Sequence, residues 1–197
     1  MARFVLKDPF YKKAKDEGFR ARSAYKLKDI DAKFHLVKKG HVVLDLGCSP
    51  GSFLQVLSDM VGEAGVVVGI DILPTPALTR KNVKTVTADI RDGDIVKRFG
   101  DLGLESADTV TCDIAPNLSG IREVDDARIE ELFHSVLDIV AGALKPGGNF
   151  IIKSFSTTVQ KKVAALLQQK FSKVSQYKPA ASRAVSSEIF FICTGKK

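Results

Sequence analysis

A doubly wound α/β sheet is the fold class that this 197-residue sequence predicts, on three observations. Apolar runs of strand length alternate with stretches whose apolar residues recur at helical spacing, the order that builds a parallel sheet with helices on both faces. Successive strand candidates end in aspartates, Asp71, Asp89 and Asp113 among them, where open α/β sheets bind their ligands. The last two strand candidates have no helix between them, so they are expected to pair antiparallel as a terminal hairpin. The expected architecture is a mostly parallel, seven-stranded sheet within one domain spanning residues 1–197, a length that allows a substantial core.

Residues 9–40 read as helical. Ala24, Leu27, Ile30 and Phe34 recur at helix spacing, while Arg20, Arg22, Lys26, Lys28 and Lys33 take other positions, which predicts an amphipathic helix with a basic face. Lys38-Lys39-Gly40 closes it, with cations and glycine where a helix end prefers them. Residues 42–46 form an apolar strand, then a small-residue turn, then a helix with the stripe Phe53, Val56, Leu57, Met60 and Val61. A second buried strand, 66–72, brings Asp71 to its end, and Pro74 and Pro76 enforce a loop. A third, 83–90, brings Asp89 to its end, and a short polar helix runs on through Phe99. The fourth, 109–114, ends in Asp113-Ile114-Ala115-Pro116-Asn117.

The clearest helix keeps Ile129, Leu132, Phe133, Val136, Leu137, Val140, Ala143 and Leu144 on one face. Glu123, Asp125 and Asp126 put negative charge near its start, and Lys145-Pro146-Gly147-Gly148 ends it. Residues 149–155 form a fifth strand carrying Lys153. A helix with Val159, Val163, Leu166 and Leu167 follows, then strands near 171–177 and 188–193 joined by a loop with Pro179 and Arg183.

A hydrophobic fraction of 45% and a charged fraction of 27% describe a globular protein rather than a disordered or fibrous one. No apolar run approaches the ~18 residues of a membrane span. The first residues, with Lys7, Asp8, Lys12, Lys13 and Lys15, lack the apolar core of a signal peptide, so a cytoplasmic address is expected. Three cysteines at Cys48, Cys112 and Cys193 exclude a full disulfide framework, and with only His35, His41 and His134 at no ligand spacing they predict no metal site. Charge is segregated. Residues 1–40 carry 12 Lys/Arg against 5 Asp/Glu, residues 41–152 carry 9 against 17, and residues 153–197 carry 9 against 1. If the basic ends meet in space they form one positive face suited to a phosphate backbone.

Asp45-Leu46-Gly47-Cys48-Ser49-Pro50-Gly51-Ser52-Phe53 joins the first strand to its helix and admits three chemistries. A nicotinamide fingerprint needs a glycine where Ser49 and Pro50 stand. A nucleophile elbow on Ser49 needs a later histidine, and His134 lies deep in a helix beside Phe133. S-adenosylmethionine fits better. An acid precedes the glycine loop at Asp45, Asp71 can accept from both ribose hydroxyls, and Asp89 can receive the adenine amino group. Gly47 and Gly51 would let the loop approach the ligand closely.

The methyl acceptor is read from two places. Amino-methylating DNA enzymes carry Asp/Asn-Pro-Pro-Tyr/Phe after the fourth strand; Asp113-Ile114-Ala115-Pro116-Asn117 lacks the second proline and the aromatic that stacks a flipped base. Lys153, an ammonium in an apolar strand, is a candidate proton acceptor, since burial and neighbouring cations favour the neutral amine; snorkelling at a strand end is the plainer reading.

At these residues the chain resembles the RrmJ/FtsJ family, also called RlmE, of ribosomal RNA large-subunit methyltransferases. The resemblance rests on Arg20-Ala21-Arg22-Ser23-Ala24-Tyr25-Lys26-Leu27, Asp45-Leu46-Gly47 with Pro50-Gly51, Asp71-Ile72-Leu73-Pro74, and Asp113 through Gly120. It continues through Lys145-Pro146-Gly147-Gly148, Lys153, Ser182-Arg183-Ala184 and Glu188. It implies a Rossmann-like S-adenosylmethionine-dependent fold and methylation of a ribose 2′-hydroxyl, of a uridine, in large-subunit ribosomal RNA. It also implies a catalytic set of Lys26, Asp113, Lys153 and Glu188, with Lys153 as general base. Lys26 would position the ribose, and Asp113 and Glu188 would orient Lys153. Gly47, Gly51, Phe53, Asp71, Asp89 and Asp113 would bind the cofactor, which leaves as S-adenosylhomocysteine without help from a metal. A monomer acting on ribosomal RNA within the large subunit is expected. Departures from the pattern are Cys48-Ser49, Ser52-Phe53 and Val185-Ser186-Ser187, the last bearing on RNA-backbone contacts more than on catalysis. Transfer RNA methylation, and a non-catalytic RNA-binding assembly factor, are the competing readings.

Overall fold

The structure, a computed structural model, describes residues 9–115, 119–155, 159–183 and 186–197. Pro116, Asn117, Leu118, Ala184, Val185 and the first eight residues, on which parts of the sequence reading fall, lie outside the described residues.

The chain runs through α1 (Pro9–Asp16), α2 (Ala24–Phe34), β1 (Val42–Leu46), α3 (Ser52–Val61), β2 (Val66–Asp71), β3 (Val83–Thr87) and α4 (Ile95–Asp101). It continues through β4 (Ala107–Cys112), α5 (Arg122–Ala143), β5 (Leu144–Phe155), α6 (Val159–Lys170), β6 (Phe171–Tyr177) and β7 (Glu188–Lys196). The seven strands form one sheet in the order β3-β2-β1-β4-β5-β7-β6. β3, β2, β1, β4 and β5 are parallel, and β7 runs antiparallel to both β5 and β6. The expected sheet and antiparallel hairpin are therefore both present. The hairpin's last strand is not at the edge: β7 slots between β5 and β6, which sets Glu188 in the strand next to Lys153.

Each sheet face has its own core, as a doubly wound fold requires. Ala24, Leu27 and Ile30 of α2 and Phe53, Leu54 and Leu57 of α3 pack with Ile151, Phe190 and Ile192. On the other face Phe99, Val136, Val140 and Leu167 of α4, α5 and α6 pack with Leu44, Phe150 and Phe191.

The N-terminal helix and several strand ends differ from the sequence expectation. The single helix expected over residues 9–40 is two helices, because Gly18 turns the chain at φ 76° and α2 stops at His35 in the left-handed region, φ 53°. Asp31 holds that stop by accepting the Leu36 and Val37 N–H groups, each at 2.9 Å. Lys38-Lys39-Gly40 therefore belongs to a turn, with Gly40 N–H donating to Val61 C=O. The other difference concerns the acids: β3 ends at Thr87 and β4 at Cys112, so Asp89 and Asp113 sit just beyond their strands. β5 starts at Leu144, but its register with β4 breaks around Lys145-Pro146-Gly147-Gly148 and resumes at Asn149. Among the described residues no helix is long and apolar enough to cross a membrane, and no group of three or more His, Cys, Asp or Glu gathers as a metal site would need.

Candidate active site

A cavity of about 730 Å³ opens where the strand order reverses between β1 and β4, the usual ligand position in such sheets. Gly47, Asp71, Asp89 and Asp113 line it from the strand ends, and Arg128 and Glu131 line it from α5.

The loop after β1 is already committed in its N–H groups. Gly47 and Cys48 both donate to Ile70 C=O, at 2.8 and 3.3 Å, Ser49 donates to Asp71 Oδ2 at 2.9 Å, and Gly51 donates to Cys48 C=O at 2.6 Å. Pro50 has none to give. Gly47 lies at φ 76°, and a Cβ there would fall 2.3 Å from the Ile114 side chain, so glycine lets the loops after β1 and β4 close on each other. A loop with its donors spent is a poor host for a pyrophosphate, which needs free N–H groups. It remains able to offer carbonyl oxygens, the acceptors that a cationic ligand requires.

Asp71 accepts Ser49 N–H on one oxygen and Leu73 N–H, at 2.8 Å, on the other. A carboxylate has about four lone-pair sites, so each oxygen can still accept a ligand hydroxyl. Asp89 is more heavily engaged. Its carboxylate takes the Arg91 guanidinium in a bidentate grip, Nη2 to Oδ2 at 2.5 Å, and also the Arg91 backbone N–H. Those Arg91 bonds hold the Asp89 carboxyl down to about 2, so it faces the cavity as an anion.

Four ionisable residues expected to act together form two buried ion pairs on the sheet face covered by α2. Lys26 Nζ of α2 reaches Glu188 at 2.7 Å, with side-chain exposures of 7% and 11%. Lys153 Nζ lies 3.0 Å from Asp113 Oδ1, with exposures of 8% and 15%. An aligned hydrogen bond from Lys153 goes to the Asp113 backbone carbonyl at 2.7 Å; the carboxylate contact is a charge contact, and Oδ1 has no hydrogen-bond partner among the described residues. Register brings the pairs together: Lys153 opposes Phe190, so Glu188, two residues before it, shares the Lys153 face. Burial works against ionisation of Glu188, but the Lys26 hydrogen bond and charge, the Ser182 hydroxyl and the charge of Lys153 outweigh it and hold the carboxyl below its ordinary range.

Of the expected cofactor residues, Gly47, Asp71, Asp89 and Asp113 are on the cavity wall, and Gly51 and Phe53 are not. Phe53 is buried in the core between α3 and the sheet. Asp113 belongs to both groups, facing the cavity and touching Lys153. The sequence reading gave no role to Ser182, whose hydroxyl donates to Glu188 Oε1 at 2.9 Å, or to Arg91. It also missed Arg128 and Glu131, which are two charges among many on α5 and which no local pattern sets apart.

Residues 19–196 match the FtsJ-like methyltransferase family. A ribosomal RNA large subunit methyltransferase E of Bdellovibrio bacteriovorus is 41% identical over 97% of each chain. One of the same name from Methanococcus vannielii is 40% identical over 99% of this chain and 78% of its own. Among solved structures, a protein assigned as a ribosomal RNA methyltransferase of Plasmodium falciparum superposes with a TM-score of 0.80 at 25% identity, over 90% of this chain and 98% of its own. Aeropyrum pernix fibrillarin, solved with S-adenosylmethionine bound, shares the fold with a TM-score of 0.62 at 17% identity, over 89% of this chain and 75% of its own.

Proposed function

The chain belongs to the FtsJ-like methyltransferase family, and from that premise we propose that it methylates a ribose 2′-hydroxyl, of a uridine, in large-subunit ribosomal RNA, using S-adenosylmethionine. The observation that carries the proposal is a pair of buried ion pairs on one sheet face, Lys26–Glu188 and Lys153–Asp113, the second of which reaches through Asp113 into the cavity that Asp71 and Asp89 also line. The residues fit the cofactor. Asp71 retains acceptor capacity for two ribose hydroxyls, and Asp89 sets its carboxylate on the cavity wall, where it takes the adenine amino group by giving up one of its Arg91 bonds. Gly47 and Ser49 bring the loop after β1 to the same wall, where a free carbonyl can face a cation. When bound, the cofactor supplies an electrophilic methyl on a sulfonium whose departure leaves a neutral thioether, so no charge on the leaving group calls for a metal.

The chain's own residues supply the rest. A ribose hydroxyl is a weak acid and must lose its proton as its oxygen attacks. Lys153 Nζ takes that proton as a neutral amine, having first released one of its own to solvent, because an ammonium has no lone pair to accept with. Asp113 fixes the amine through its backbone carbonyl and stabilises the ammonium that forms through its carboxylate. Glu188 holds Lys26 where its remaining donors can orient the ribose, and its anionic state keeps negative charge beside Lys153. Good alignment of reacting atoms supplies about 7–11 kcal/mol of the barrier reduction in such reactions. Residues 9–40, on the α2 side of the single methyltransferase domain, present cations to phosphates, which fix position rather than sequence.

The relatives named as acting on large-subunit ribosomal RNA support the choice of substrate. Nucleoside mapping of 2′-O-methylation, on ribosomal and transfer RNA incubated with the protein, tests it. One ribose methyl on large-subunit RNA is expected, lost in Lys153→Ala while RNA binding stays within about twofold. A methyl on transfer RNA alone, or transfer by the variant near the wild-type rate, overturns the substrate or the role of Lys153 respectively.

A further inference from the structure

Arg20 stands in the turn between α1 and α2, on the basic segment, and its position in the sequence suggests an RNA contact. Three of its five guanidinium N–H donors are engaged elsewhere. Nη1 donates to Pro50 C=O at 2.8 Å and to Pro76 C=O at 2.6 Å, and Nη2 donates to Ala77 C=O at 2.6 Å. Pro50 is in the loop after β1, and Pro76 and Ala77 are in the β2–β3 connection, which leaves β2 at Asp71 and carries Ile72 and Leu73 along the cavity wall. One side chain therefore staples both cofactor-side loops to the segment that leads into α2 and Lys26.

Two further observations indicate that the loop is shaped around this residue. A Cβ at Gly51, which has φ 104°, would fall 2.8 Å from Arg20 Nη1, so the guanidinium lies across a glycine surface that no other residue provides. The backbone is pinned as well: Arg20 N–H donates to Gln55 Oε1 at 2.9 Å, and Gln55 Nε2 donates to Gly18 C=O at 3.0 Å, both bonds joining the turn to α3. A phosphate drawn to Arg20 would have to replace three charge-assisted bonds to carbonyls, each stronger than a neutral one.

We propose that Arg20 is a positioning residue for the cofactor site, which holds the loops after β1 and β2 in their ligand-ready arrangement, and is not an RNA-phosphate contact. This rests on the reading of the cavity as the S-adenosylmethionine site. Lysine, with one compact ammonium, cannot bridge three carbonyls in two loops as a planar fork does.

The test is calorimetric titration of S-adenosylmethionine into the wild type, Arg20→Ala and Arg20→Lys, alongside RNA affinity measured at several salt concentrations. Arg20→Ala should raise the cofactor dissociation constant about tenfold or more, the scale of one lost charge-assisted bond. Arg20→Lys should show an intermediate loss. The cofactor KM should rise while kcat at saturating cofactor stays within about twofold, and the salt slope of RNA binding should not change. If Arg20→Ala does not fold, Arg20→Lys carries the test, with the melting temperature of the ligand-free protein separating positioning from unfolding. Unchanged cofactor affinity with a salt slope shallower by about one charge makes Arg20 an RNA contact and overturns the proposal. A wild type that fails to bind the cofactor overturns the reading of the cavity and the clamp together.

Discussion

Asp45, one residue before the end of β1, holds its carboxyl out of reach of water, 1% exposed, and only half satisfied. Thr111 Oγ1 donates to Oδ1 at 2.6 Å, and Oδ2 has no partner among the described residues. Burial pushes the carboxyl up to about 8; the Thr111 bond opposes that shift, and the charges of Asp113 and Asp71 add to it. The sign of the linkage follows. Between the ordinary carboxylate value near ~4 and about 8, the native protein holds a proton that the unfolded chain has released, so native stability falls as pH rises across that window and levels off above it. The slope is at most about 1.4 kcal/mol per pH unit for one proton. Asp45→Asn, which keeps the shape of a neutral carboxyl, should flatten that part of the stability curve and leave the ligand-free protein more stable than wild type at pH 8.5. Denaturant unfolding from pH 5 to pH 9 measures it, and parallel curves for the two proteins would show that Asp45 is ionised in the fold. The sequence marks Asp45 as the acid before a glycine loop, but its protonation depends on burial under α2 and α3, which no local pattern states. Lys153 is more legible, because an ammonium inside an apolar run is out of place by itself. Lys26 is one lysine among many on a basic helix, and only family resemblance singles it out; its meaning comes from Glu188, 162 positions away.

Helix ends rest on side-chain contacts that apolar periodicity does not state. The apolar periodicity that suggests one helix over residues 9–40 is real within α2, where Ala24, Leu27 and Ile30 are buried. It does not reveal that Asp31 turns its carboxylate onto the Leu36 and Val37 N–H groups and so ends the helix at His35. The end of α5 is a second case. Lys145-Pro146-Gly147-Gly148 correctly marks where the helix stops, but the cation that serves its last carbonyls comes from β7. Lys196 Nζ donates to Val140 C=O at 3.0 Å, Ala141 C=O at 2.7 Å and Leu144 C=O at 2.5 Å. These bonds satisfy groups that a helix C-terminus leaves open, and they tie the longest helix to the strand that also carries Glu188. Lys196→Met keeps the apolar stem and removes the donors. It should cost about 1.5–3 kcal/mol, the range for hydrogen bonds to a charged group, read as a lower urea midpoint at unchanged slope. A midpoint equal to wild type would mean that water serves those carbonyls equally well.

At the scale of the molecule, the separation of charge along the chain becomes a separation in space, because the two basic ends pack together. Asp29 of α2 accepts Tyr177 O–H at 3.1 Å and Ala180 N–H at 2.7 Å, Arg22 donates to Ala181 C=O at 3.3 Å, and Lys26 pairs with Glu188. The N-terminal helices therefore lie against the β6–β7 end of the sheet, and the acidic middle of the chain lies toward α4 and α5. That arrangement predicts where salt-sensitive RNA affinity resides. Each phosphate neutralised by a lysine releases counterions and contributes about −0.7 to −0.9 to the slope of log K against log salt. Lys12 and Lys15 are exposed on α1, next to α2; Lys97 is exposed on α4 and paired with Asp101. Lys12→Gln with Lys15→Gln should make the slope for RNA shallower by about one to two, and weaken binding most at low salt. Lys97→Gln removes the same charge from the opposite region and should leave the slope within error of wild type. Net charge falls equally per lysine in both variants, so a general electrostatic attraction would shift all of them alike. Equal slope changes per lysine removed would show that RNA approaches without regard to the basic face, and that the packing of the two ends serves the two ion pairs alone.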